Sequence, residues 1–364
     1  MLTGNCSVSL APCKTEDRNA LARLFHKLED IPIEAFTEGI DWRWESFGEL
    51  ADALDPTLAI NVAAMVGHST LRFAVMGPES QEREATDEEV QAMCALLLQS
   101  LEGGAIGLST DRLIQHVGDG GRPIPSRMAS DEELFALCEA MRDRGTGLLQ
   151  SGPATNVPDT PAYVRDVLRP IALNTGMTVL LSGTVQERGA PDRWREIHDL
   201  IAEGQRDGAR IFTQATPCRI DGRFSLAHTL QFNEMPTWRH VLSLPLDERK
   251  AAFRDPEVRD RLQFEAVEDT RPIFFSRRWD TIFVLEIESE KNQHLIGQNV
   301  LEASQRDGKR VVDWVLDLVL EEDLQCAFVA IGRANGDDDA VVAQLVSPQA
   351  IVGSSDAVAH VMQM

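Results

Sequence analysis

The chain contains no C-x-x-C, no H-x-H, no H-E-x-x-H and no G-x-G-x-x-G, and each absence removes a class of chemistry. Its six cysteines (Cys6, Cys13, Cys94, Cys138, Cys218, Cys326) are too scattered for a structural zinc cluster or a disulfide framework, which points to a reduced, cytoplasmic setting. Cys94 and Cys138 fall on the apolar stripes of predicted helices and read as small core residues. Without a glycine fingerprint after a strand, a dinucleotide fold lacks its phosphate cradle. Basic residues are scarce: 35 Lys and Arg stand against 58 Asp and Glu, giving a formal charge of -23. The resulting negative potential repels phosphate backbones and anionic lipid, so neither a nucleic acid nor a membrane is an expected partner. No apolar run approaches the roughly 18 residues of a membrane span, and no charged n-region followed by an apolar h-region opens the sequence.

What is present is a regular alternation of helix and strand. Thr86-Asp87-Glu88-Glu89 reads as a capping box, followed by Val90, Met93, Cys94, Leu97, Leu98 and Leu101 at helical spacing and stopped by Gly103-Gly104. A short strand, 105–110, comes next. Ser130-Asp131-Glu132-Glu133 reads as a second box, with a strand at 147–150 beyond its helix. Thr160-Pro161 supplies an N-cap and a first-turn proline, Pro191 opens another helix, and strands are predicted over 177–182 and 209–214. Residues 59–66 form one more strand, 325–331 another, and 350–354 the last. Strands every 30 to 40 residues, separated by amphipathic helices, require right-handed βαβ units and a parallel sheet.

Between about 217 and 320 the rhythm breaks. That stretch is charge-rich and helical around 246–264 and strongly apolar over 311–320, and it reads as an insertion lying over the sheet within one domain, 1–364. Two parallel folds suit the rest, a doubly wound sheet and a (β/α)8 barrel. Cys6, His68, Thr110, Gln150, Ser182 and Asp356 all fall at predicted strand carboxyl ends, which in a barrel converge on one catalytic face. The fold class expected is α/β, an incomplete TIM-type barrel with a late helical insertion.

Three segments carry a family resemblance. Gly4-Asn5-Cys6, Val66-Gly67-His68-Ser69-Thr70-Leu71-Arg72 and Gly353-Ser354-Ser355-Asp356-Ala357 resemble the N-acyl-D-amino-acid deacylase (D-aminoacylase) branch of the metal-dependent amidohydrolases, and the likeness spans nearly the whole chain. The resemblance implies hydrolysis of the amide C–N bond of an N-acyl amino acid or similar small substrate, with zinc as cofactor. It makes Cys6 a thiolate ligand from the second barrel strand and Asp356 the general base from the eighth. It also implies that His68, Arg72, Gln150, Ser182, Ser355 and His360 contact substrate or brace the residues that do, and a homo-oligomer is compatible with it. From the residues alone, Asp356 reads equally as a helix N-cap, His68 as a satisfied turn histidine, Arg72 as half of a surface ion pair and His360 as a surface histidine.

The chain also departs from that family. Where its best-known members place histidines on the fifth and sixth strands, the chain has Leu149-Gln150-Ser151 and Leu181-Ser182-Gly183, and glutamine and serine are poor zinc ligands. The H-x-H of the first strand is missing, so truncation at both ends is expected, with weak zinc binding. The alternative is a non-catalytic barrel relative or inactive fragment. An unrelated enzyme using Cys6 as nucleophile has no histidine tied to it by spacing.

Overall fold

A computed structural model of the protein describes residues 1–29, 31–145, 147–271, 273 and 275–353. Eleven strands appear in chain order among them: β1 (Leu2–Thr3), β2 (Ala63–Ala64), β3 (Val66–Gly67), β4 (Leu108–Thr110), β5 (Leu148–Ser151), β6 (Thr178–Thr184), β7 (Arg210–Ala215), β8 (Ile220–Phe224), β9 (Ile282–Glu286), β10 (Ala327–Ala334) and β11 (Ala350–Val352). Six of them form one parallel sheet in the order β11-β7-β6-β5-β4-β3. The order never reverses, which distinguishes a barrel wall from a doubly wound sheet with its switch point. β1 pairs in parallel with β2, and Met65 alone separates β2 from β3. The wall therefore continues through the 63–67 segment to β1. The expected strand at 59–66 is shorter and broken at Met65.

Helices pack on the outside of this wall. Asp87–Glu102 starts at the reciprocal capping box of Thr86 and Glu89, as its sequence predicts, and buries Met93, Leu97 and Leu101 against Leu108 and Leu149 of the strands. Asp131–Arg144 has only half of its expected box. Ser130 Oγ accepts from the Glu133 amide, but the Glu133 carboxylate turns inward to another partner. The Thr160 hydroxyl likewise donates back to Val157 O at 2.7 Å instead of capping the helix that follows.

The chain between β7 and β11 builds a second layer with its own core. β8, β10 and β9 form an antiparallel sheet in that order, so the strand expected at 325–331 is present as β10 but lies outside the parallel sheet. Phe224, Phe232, Trp238, Phe275 and Trp279 cluster beneath it, and Val312, Leu316 and Val319 of the helix Val311–Glu321 close its other side. This unit runs through β10, beyond the 320 boundary drawn from the sequence. Among the described residues, no helix is long and apolar enough to cross a membrane.

Candidate functional site at the strand carboxyl ends

A triangle of buried serine hydroxyls anchors the first loops of the site. Ser7, just past β1, lies 2.9 Å from Ser69 on the helix His68–Met76, Ser69 donates to Ser126 at 3.0 Å, and Ser126 lies 3.1 Å from Ser7. Ser126 Oγ also donates to the Asp111 carbonyl at 2.6 Å, and the Ser7 amide donates to Ser109 Oγ. Three chain segments are thereby pinned side by side at positions where buried polar groups would otherwise lack partners. The backbone at Gly67 approaches so closely that a Cβ there would overlap the main chain of Ser7 and Val8.

Cys6 directly precedes Ser7 of this triangle, and Asp111 directly follows β4. The Asp111 carboxylate, 2 % exposed, accepts from the Leu113 amide at 2.7 Å and from His116 Nδ1 at 2.6 Å. Gly152, after β5, presents bare backbone to it: a Cβ would sit 3.1 Å from Asp111 Cγ. Burial opposes charging of His116, but Asp111 and then Glu29 outweigh it and raise the imidazole above its ordinary value. Around Cys6 the same carboxylates act in the opposite sense. Burial first, then the negative charges of Glu29 and Asp111 and a hydrogen bond with Glu29, push its thiol well above its ordinary range. A thiolate needs positive charge beside it, and the described neighbours supply the reverse.

His68 directly follows β3, and Arg72 lies one turn further along the helix His68–Met76. The His68 ring is fully buried, with Nδ1 3.0 Å from Thr110 Oγ1 and Nε2 2.7 Å from Glu133 Oε1. Both ring nitrogens are thus occupied within the protein, whereas the pattern pointed to a pocket-facing ring. Arg72, expected against an anionic group or at the surface, is also fully buried; it binds the other oxygen of Glu133 and donates to Arg83 O at 2.7 Å. Burial lowers the pKa of His68, and despite its own burial Glu133 is held below the usual carboxylate range by His68 and Arg72.

At the ends of β5 and β6, Gln150 Nε2 donates to Ser182 Oγ, while the buried Gln150 Oε1 finds no partner among the described residues. Ser151 Oγ pairs with the Tyr163 hydroxyl at 3.1 Å. Ser355, Asp356 and His360 lie outside the described residues. The strand preceding them, β11, is in parallel register with β7, Ala350 opposite Thr213 and Val352 opposite Ala215.

The structure therefore gathers Cys6, Thr110, Gln150 and Ser182 at one end of the wall and adds Glu29, Asp111, His116 and Glu133, which sequence reasoning did not single out. Asp111 follows a predicted strand end directly and was open to discovery there. Glu133 was hidden by its capping-box position. Among the described residues, no group of three or more His, Cys, Asp or Glu side chains is placed to hold a metal ion.

No family model matches the chain. A D-aminoacylase of Alcaligenes xylosoxydans xylosoxydans is 40 % identical over 146 residues, 40 % of this chain and 26 % of that protein. The crystal structure of a D-aminoacylase, described as defining a novel subset of amidohydrolases, superposes with a TM-score of 0.54 at 23 % identity, covering 97 % of this chain and 58 % of the other. An N-acyl-D-glutamate deacylase from Bordetella bronchiseptica, complexed with zinc and a phosphonate mimic of the tetrahedral intermediate, superposes with a TM-score of 0.57 at 21 % identity over the same shares, 97 % and 58 %. The chain thus spans little more than half the length of these solved relatives, and at such identities the superpositions bear on the fold alone, an α/β fold whose parallel wall in this chain fits an incomplete TIM-type barrel.

Proposed function

We propose, from the homology of this chain to the D-aminoacylase and N-acyl-D-glutamate deacylase branch of the amidohydrolase superfamily, that it serves hydrolysis of the amide C–N bond of an N-acyl amino acid or similar small amide. The observation supporting this most directly is the convergence of Cys6, the Asp111–His116 pair and the Gln150–Ser182 pair at the carboxyl ends of parallel strands running in chain order. In this reading Asp356, carried by the segment after β11, takes the proton of the attacking water. Gln150, Ser182, Ser355 and His360 contact the substrate, and His68 and Arg72 brace the strand ends through Glu133. The unit inserted between β7 and β11 acts as a lid within the single domain 1–364.

Zinc is the cofactor this reading calls for, with Cys6 its sulfur donor, and the described residues do not fit it. The Cys6 thiol is hydrogen-bonded to a carboxylate, His116 is paired to Asp111, and the fifth and sixth strands offer an amide and a hydroxyl. A second reading, a barrel relative that binds small amides without hydrolysing them, is favoured by one specific feature: Gln150 and Ser182 are bonded to each other where donors for a metal would stand.

Turnover of a panel of N-acyl-D-amino acids, measured with zinc supplied in excess, tests the first reading. Hydrolysis lost in Asp356→Asn with an unchanged melting curve supports it. A well-folded protein that binds these amides and leaves every one intact establishes the second.

A further inference from the structure

A polar cleft lies in the seam between the barrel and the inserted unit. The helix Arg18–Glu29 and the helix Pro236–Ser243 both pack on the Asp119–Gly121 turn, and His26, Lys27, His228, Asn233, Arg239 and Arg249 line the space they enclose. Among the described residues neither Arg239 nor Arg249 forms an ion pair, whereas most other arginines of this protein do.

Arg249 provides an independent observation. Only 4 % exposed, it donates to four main-chain carbonyls, those of Leu226, Ala227, Leu242 and Leu244, and its Nε has no partner among the described residues. Carbonyl dipoles satisfy its hydrogen bonds without a formal charge, so among the described residues no carboxylate pairs with this guanidinium. Among the described residues Arg239 donates to Asn233 O at 3.1 Å, and a Cβ added at Gly121, whose φ is 72°, would sit 3.8 Å from Arg239 Cγ. The rings of His26 and His228 meet edge to face at 5.6 Å.

We propose that this cleft binds a small oxyanion, a carboxylate or phosphate group, between Arg239 and the His26–His228 pair. His228, a lining residue, is placed to report such an anion. Burial, followed by Lys27, His26 and Arg249, drives its pKa down to about 4. An oxyanion between these groups offsets the repulsion that adds to burial in keeping the ring neutral. The cleft also adjoins the strand-end site: its lining residues Val117 and Gly118 follow His116 directly, and Asn233 Nδ2 donates to Gln115 O at 2.8 Å. Two sources share this chemistry. The free carboxylate of an N-acyl amino acid rests on the amide-hydrolase reading; an inorganic or phosphorylated anion does not.

Calorimetric titration of the intact protein with N-acetyl-D-alanine, with its neutral carboxamide and with inorganic phosphate separates them, while proton NMR follows the His228 ring, assigned by its loss in His228→Asn. Binding of N-acetyl-D-alanine but not of the carboxamide, with a rise in the His228 pKa, weakening by about tenfold in Arg239→Gln and recovery in Arg239→Lys, is the expected result. Phosphate binding with the same dependence on Arg239 also supports the site and assigns it the second source. Binding of neither anion, or binding indifferent to both Arg239→Gln and the His228 ring, overturns the proposal. Hydrolysis is read separately: anions that bind here while no amide is cleaved would remove the hydrolase reading and leave the cleft standing.

Discussion

Removing Arg72 leaves a carboxylate where solvent cannot reach it. The Arg72 and Glu133 side chains are 0 % and 2 % exposed, and Glu133 is shared with the buried His68. Truncating one partner of such a pair strands the other charge, at a typical cost of about 3 to 5 kcal/mol. Arg72→Met should fall at the lower end of that span, because His68 Nε2 already faces Glu133 at 2.7 Å and gains proton affinity once the neighbouring guanidinium is gone. Glu133→Gln should fall at the upper end. It leaves a guanidinium facing only the carbonyls of Ser80 and Arg83, at 3.4 and 2.7 Å, and a neutral histidine that cannot compensate it. The double variant Arg72→Met/Glu133→Gln carries neither charge, so its loss should fall short of the sum of the singles by about 2 kcal/mol or more. Urea unfolding followed by tryptophan fluorescence, with the denaturant slope held equal across variants, measures all three. Strict additivity, or an Arg72→Met loss below about 1 kcal/mol, would show that this triad is not a coupled unit.

The Glu133–His68 pair and His116 set opposite pH limbs. Glu133 and His68 both have lowered pKa values in the fold, so their contributions are complete above the ordinary carboxylate value of 4.5 and the ordinary imidazole value of 6.5 and are lost as pH falls through the lowered values. His116 is raised, so its contribution is complete below 6.5 and fades as pH rises through the raised value; His116→Asn should flatten the stability profile on that alkaline side alone. Gly67→Ala should cost several kcal/mol and expose the buried Ser7 and Ser69 hydroxyls, since the new methyl meets backbone and not a movable side chain; a melting temperature within a degree of wild type would contradict that geometry. Metal analysis after dialysis should give clearly substoichiometric zinc, because Gln150 and Ser182 occupy the fifth and sixth strand ends, and a tightly held ion lost in Cys6→Ala would reveal ligands beyond the described residues.

Legibility followed the range of the interactions. The Thr86–Glu89 box and the alternation of strand and helix are written within a few residues and could be read directly. The order of the parallel strands followed from that alternation, because each helix returns the chain beside the strand it left. Glu133 could not be read correctly, since the pattern that marks a capping box is the same whether the carboxylate caps its helix or reaches His68, 65 residues away. The antiparallel strands β8 and β9 were missed inside the insertion. β8 interleaves Asp221, Gly222 and Arg223 with its apolar residues, and its partner β10 lies about a hundred residues downstream. Cys6 was legible as a residue of interest, but its surroundings were not, because Glu29 and Asp111 arrive from a helix and a strand end that share no motif with it.

Those surroundings give the mouth of the barrel two electrically different walls. On one, Cys6, Glu29 and Asp111 hold acidic groups against a thiol that stays protonated; on the other, Arg239 and Arg249 form no ion pair among the described residues. His116 and Gln115 form the short stretch joining them. A molecule with a carboxylate at one end and a neutral amide at the other is turned by such a field before any contact forms, carboxylate toward the seam and amide toward the strand ends. Orientation of that kind weakens with salt because the screening length falls to about 8 Å at physiological ionic strength, whereas a neutral amide of the same shape is not steered at all. Added salt should therefore reduce the affinity for N-acetyl-D-alanine and leave that for its carboxamide unchanged, and equal sensitivity of the two would place the anion somewhere other than the seam.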